Sequence, residues 1–110
     1  MMIDWDRVTL LRDEVGAESF TEVVALFLDE VDEVIARMRS APDQINVERD
    51  MHFLKGSALN LGFGRLGAVC QLGERMAAEG RAAEVDLTSV VSLYEKSRAA
   101  FLDGLAERQA

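Results

Sequence analysis

Two side chains in this 110-residue sequence stand out as nucleophiles near neutral pH: His52, the only histidine, and Cys70, the only cysteine. An imidazole can act as a group acceptor, a general base or a metal ligand. The residues around His52 narrow the choice. Lys55 follows it by three positions, Gly56 by four and Leu59 by seven, and Glu48 precedes it by four. On a helix these spacings place all of them along one face. An ammonium group so placed can pair with an anionic oxygen attached to the ring. Glycine inside a helix costs about 1 kcal/mol relative to alanine, so Gly56 suggests that something must come close to the backbone. Glu48 can accept a hydrogen bond from one ring nitrogen and leave the other free, although a carboxylate there is also an ordinary solvated charge.

Helix phase decides whether the ring is available. At roughly 100° per residue, Val47, Met51, Leu54, Ala58 and Leu61 cluster within about 80° of one another and must face a core. His52 lies nearly opposite the centre of that stripe. A lone histidine is more often a hydrogen-bonded structural residue, but that role needs an inward face, and the phase puts this ring in water.

The elements that hold this helix follow from the rest of the chain. Asp4 is placed to cap a short first helix through Val15, with Gly16 as its stop. Ser19 and Glu22 form a capping-box pattern, and Phe20, Val23, Val24, Phe27, Val31, Val34, Ile35 and Met38 recur at helical steps, giving a long helix over about 19–40. Ser40-Ala41-Pro42-Asp43 is a turn. The histidine helix runs from Gln44 or Asn46 to Leu61, and Gly62 and Gly64 mark its end. Leu66, Val69, Cys70, Met76 and Ala77 mark a fourth helix, which stops near Gly80. Leu87, Val90, Val91, Tyr94, Phe101 and Leu105 mark a fifth. Short links between long helices make antiparallel neighbours. The expected fold is all-α: an up-down antiparallel four-helix bundle with a short additional N-terminal helix, as one domain over 1–110.

Composition excludes several functions. The net charge is −8, with no basic stripe to neutralise a nucleic-acid backbone or an anionic membrane. No segment approaches the ~18 continuous apolar residues of a membrane span, and the N-terminus lacks the pattern of a secretory leader. Cys70 sits among apolar residues at helical spacing and reads as a small buried hydrophobe, which suits a cytoplasmic location. One histidine and one cysteine make a zinc site improbable, and no glycine-rich nucleotide loop is present. No cofactor is expected on the chain.

The run His52-Phe53-Leu54-Lys55-Gly56-Ser57-Ala58-Leu59-Asn60-Leu61-Gly62 resembles the signature of histidine-containing phosphotransfer (HPt) domains. There a histidine is followed by Lys-Gly, a small pair, and a glycine ten residues on. The resemblance extends to Cys70, at a position often small or apolar, and to Glu74, where Glu or Gln is common. It departs at Gly73, where a larger apolar residue usually stands, so the fourth helix is expected to be loose there.

The resemblance implies a phosphocarrier rather than an enzyme. His52 would exchange a phosphoryl group with an aspartate on the receiver domain of a response regulator or hybrid histidine kinase. Lys55 would offset phosphoryl charge, Gly56 and Gly62 would admit the receiver, and Asn60 and Ser57 would shape the surroundings. Leu59 would belong to the docking patch. Glu48 or Glu74 would orient the ring, and spacing does not choose between them. The required Mg²⁺ would sit in the receiver, and the carrier is expected to be a monomer. Two other readings remain: a helical adaptor that docks without being phosphorylated, and, more weakly, a hydrolase pairing His52 with a carboxylate.

Overall fold

The structure is a computed structural model that describes residues 1–109. It is all-helical: α1 (Trp5–Val15), α2 (Ala17–Ser40), α3 (Val47–Leu61), α4 (Gly64–Ala78) and α5 (Leu87–Gln109), with single 3₁₀ turns at Pro42–Gln44 and Ala82–Glu84. Three caps form where short polar residues precede an apolar repeat. Asp4 accepts from the Arg7 amide, Asn46 from the Arg49 amide and Asp86 from the Ser89 amide. Each satisfies one of the amides that a helix N-terminus leaves without an internal partner.

The expected capping box at Ser19 does not form. α2 begins two residues earlier, at Ala17, and Ser19 lies inside its first turn, donating its amide to the Gly16 carbonyl. Gly16, at φ 87°, both ends α1 and starts α2. One residue able to adopt positive φ is enough for the reversal, so no longer link is needed.

α3 and α4 form the closest pair, joined only by Gly62 and Phe63. Met51 lies against Gly73 and Leu59 against Gly67, so the two helices run antiparallel. On the other flank of α3, Arg37 of α2 pairs with Asp50. Across the molecule Tyr94 of α5 donates its hydroxyl to Asp32 of α2, and Arg98 pairs with the same carboxylate. Burial, with Asp32 beside it, pushes the Tyr94 phenol above its ordinary range, so the hydroxyl stays a donor.

The core runs through the middle of the helices. Met51, Leu54, Leu61, Phe63, Leu66, Cys70, Tyr94 and Phe101 are all essentially sealed. Phe63 meets Phe101 edge-on, with centroids 5.3 Å apart, an arrangement favoured by the ring quadrupoles.

The N-terminal segment is more than a loose cover. Trp5 stacks on Phe101 and fills the space left by Gly104, where an added Cβ would lie 2.1 Å from the indole. The Asp4 amide donates to the Gly62 carbonyl at 2.7 Å, and the Arg65 amide to the Met1 carbonyl at 2.9 Å. These bonds fasten the start of the chain across the α3–α4 link. Among the described residues, no helix is long and apolar enough to cross a membrane.

Candidate functional site

α3 divides as its sequence phase requires. Met51, Leu54, Ala58 and Leu61 are buried and Val47 is half-buried, while the His52 side chain is 69% exposed. The ring is nevertheless held. Its Nδ1 lies 2.6 Å from Glu74 Oε2, and Lys55 Nζ lies 2.6 Å from Glu74 Oε1. One carboxylate on α4 thus grips both of these α3 side chains.

The contact has a chemical consequence. A carboxylate can only accept, so Nδ1 carries the hydrogen and the lone pair of a neutral ring resides on Nε2. The Lys55 hydrogen bond, and after it the His52 bond, hold the Glu74 carboxyl below the ordinary carboxylate range against an opposing desolvation effect. Glu74 therefore stays ionised as the acceptor.

Of the two carboxylates that spacing left open, it is Glu74 that meets the ring. Glu48 is exposed in the first turn of α3 and makes no hydrogen bond to His52. Lys55 is half-buried and already ion-paired, rather than a free surface charge. Gly56 is open, because a Cβ built there meets nothing within 4 Å. Leu59 is 54% exposed, yet its side chain rests on the backbone of α4 at Gly67, where a Cβ would come within 3.1 Å of it. His52, Gly56 and Leu59 form a continuous ridge, with Lys55 and Glu74 along its α4 side.

Three expected site residues are placed elsewhere. Gly62 is buried and cannot admit a partner. It is the left-handed cap of α3, at φ 80°, and a Cβ there would sit 2.7 Å from the Asp4 carbonyl oxygen. The chain's own N-terminal segment occupies the approach. Ser57 is only 6% exposed and faces inward, because its phase falls toward α2 rather than the ridge. Asn60 is exposed, but its side-chain oxygen accepts from Arg7 Nη2 at 3.2 Å and ties α3 to α1.

The looseness expected at Gly73 is absent too. Met51 fills the space, its sulfur 3.0 Å from where a Cβ would be, and an unbranched thioether is well suited to that gap.

Sequence reasoning overlooked Gly67, whose missing side chain lets Leu59 lie down. It also overlooked Asp50, a carboxylate only 3% exposed on the α2 flank of α3. Its signal was present, since at 100° per residue Asp50 falls about 160° from His52, on the core side. No three His, Cys, Asp or Glu side chains converge as a metal site among the described residues.

Residues 22–107 match the sequence family described as Hpt domain. The chain belongs to the Hpt domain family. Its match begins inside α2 and leaves α1 outside. Histidine phosphotransfer in phosphorelays is the role this membership implies, and interaction with receiver domains goes with it. No curated protein and no solved structure matches the chain.

Proposed function

We propose that this Hpt domain accepts a phosphoryl group on His52 Nε2 from the aspartyl phosphate of a receiver domain and passes it to a second receiver. One observation carries the reading: an exposed ring whose Nδ1 is held 2.6 Å from Glu74, which leaves Nε2 as the nitrogen with the free lone pair. In the forward step the Nε2 lone pair attacks phosphorus. The N–P bond forms as the P–O bond to the receiver aspartate breaks, and the carboxylate leaves with its electron pair. The ring keeps the Nδ1 proton, so positive charge develops on the imidazole against the Glu74 carboxylate. The same charge makes the ring a good leaving group when the phosphoryl moves on, so one geometry serves both directions.

A loose phosphoryl transition state asks mainly for alignment and for positive charge near the peripheral oxygens. Glu74 supplies the first by fixing the ring. Lys55 supplies the second, its flexible ammonium turning from Glu74 to a phosphoryl oxygen. Gly56 and Leu59 offer a low ridge on which a receiver can seat. Mg²⁺ belongs to the receiver in this scheme, and the chain itself binds no cofactor.

The antiparallel pairing of neighbouring helices supports an up-down four-helix bundle of α2 to α5 with α1 as its additional helix. We take residues 1–110 as one domain, acting as a cytoplasmic monomer.

The test is incubation with a phosphorylated receiver, comparing the wild type with His52→Gln. Acid-labile, alkali-stable label on the wild type alone supports the carrier. Binding without label on either form would leave the adaptor reading in its place.

A further inference from the structure

The proposed transfer uses the ridge of α3 and its α4 side. The opposite side, toward α2, carries a cleft of about 470 Å³. Its apolar lining is Val34, which is buried, and Phe53, which is half-buried. Its charged lining is Glu30, Glu33 and Arg37 from α2, with Arg49 and Asp50 from α3.

Asp50 is the anomaly. Both of its ion pairs fall on Oδ1, at 3.4 Å from Arg49 Nε and 3.9 Å from Arg37 Nη2. Charge-assisted bonds are ordinarily about 2.7–2.9 Å, so neither is a good one. Its Oδ2 is sealed from solvent and hydrogen-bonds to nothing among the described residues. A buried carboxylate is costly unless its oxygens are paired, and this one has half its acceptor capacity unused.

We propose that the cleft receives one arginine side chain of the docked receiver, its guanidinium set between Asp50 and the Glu30 and Glu33 carboxylates. Three carboxylates against two guanidiniums leave the lining net negative. The Arg37 and Arg49 side chains are 51% and 68% exposed, so displacing them toward water costs little. Arginine suits the place better than lysine. Its planar fork spans two carboxylates, and its face stacks on an aromatic ring such as Phe53. At 100° per residue Arg49 lies about 60° and Phe53 about 100° around α3 from His52, with Asp50 further round on the core side, so the rim of the cleft at Arg49 and Phe53 adjoins the ridge on which a receiver would seat. The contact then sets partner choice and docking register, as charge pairs beside an interface do.

The identity of the occupant rests on the receiver-docking reading, whereas the affinity of the cleft for a guanidinium does not. The experiment is a ¹⁵N NMR titration of the full chain with N-acetyl-arginine N-methylamide. Saturable shifts centred on Glu33, Val34, Asp50 and Phe53 are expected at millimolar probe. Asp50→Asn should weaken binding about tenfold, the loss of one charged hydrogen bond. Glu33→Gln, on the surface and safe for folding, should weaken it severalfold. Arg49→Ala should strengthen it by removing the internal competitor.

Absence of saturable shifts up to about 100 mM probe, a range that covers very weak binding, would overturn the proposal. So would indifference to both carboxylate variants, or an equal response to N-acetyl-lysine N-methylamide. Labelling of the wild type by phosphoramidate, run alongside, keeps the two readings apart. Labelling without arginine binding removes the cleft alone, and arginine binding without labelling removes the carrier alone.

Discussion

Replacing Gly56 by alanine should make the protein more stable and a worse phosphoryl acceptor from a receiver. Gly56 lies in α3 with ordinary helical backbone, since among the described residues positive φ occurs only at Gly16, Gly62 and Gly80. A Cβ added there meets nothing within 4 Å, so no clash offsets the gain in helix propensity. That gain is about 0.5–1 kcal/mol. For a domain of this size it raises the melting temperature by roughly 2–5 °C. The methyl group then stands on the ridge one turn from His52, where a receiver would approach under the proposed transfer. Transfer from a phosphorylated receiver should fall about tenfold relative to labelling by phosphoramidate, which corresponds to about 1.4 kcal/mol of lost docking energy. Thermal unfolding by circular dichroism and rapid-quench transfer assays measure the two effects. A lower melting temperature, or transfer that keeps pace with small-molecule labelling, would refute the close-approach role of Gly56.

Gly62→Ala should act in the opposite sense. A left-handed alanine costs about 1–2 kcal/mol, and overpacking against the Asp4 carbonyl and Val8 adds about 1–3 kcal/mol; urea unfolding should show that loss, and an unchanged midpoint would mean that the N-terminal segment is not seated there. Glu74→Ala should slow transfer by more than tenfold, the size expected when an orienting acid–base partner is removed, with helical content unchanged; a full rate would remove Glu74 as the positioning residue. Because the Glu74 carboxyl is held below its ordinary range, its contribution to stability is present above the unfolded-state value and is lost as pH falls through the folded-state value. Carboxyl ¹³C NMR should therefore show it titrating below an ordinary glutamate, and an ordinary titration would refute the bridge to Lys55 and His52. Burial pushes the Cys70 thiol up to about 12, so thiol reagents at pH 8 should leave it unmodified in the native protein and label it in urea; rapid native labelling would refute its burial.

Much of the site was legible in α3 alone because a helix converts sequence spacing into angle. Met51, Leu54, Ala58 and Leu61 define an inward direction, and that direction fixes His52 and Gly56 as outward. The same arithmetic works for any residue whose surroundings are set by its own helix. It failed at Gly62 and Gly73, where the deciding neighbour is distant in sequence. Gly62 meets the Asp4 backbone and Gly73 meets the Met51 thioether, and helical period encodes neither contact. The start of α2 was missed because one positive-φ glycine is a stronger boundary signal than the Ser19–Glu22 pattern that follows it.

The sequence by itself determined the helices, the outward histidine and the membership in the Hpt family, since each rests on local periodicity or on a contiguous motif. Only the tertiary structure chose Glu74 over Glu48 as the partner of the ring. The choice depends on how α4 lies against α3, which is settled by packing at Met51–Gly73 and Leu59–Gly67. The inward direction of Asp50 follows from helix phase, but its pairing with Arg37 was decided by the approach of α2. Spacing within a helix reports direction, but contact requires a second helix at a definite distance.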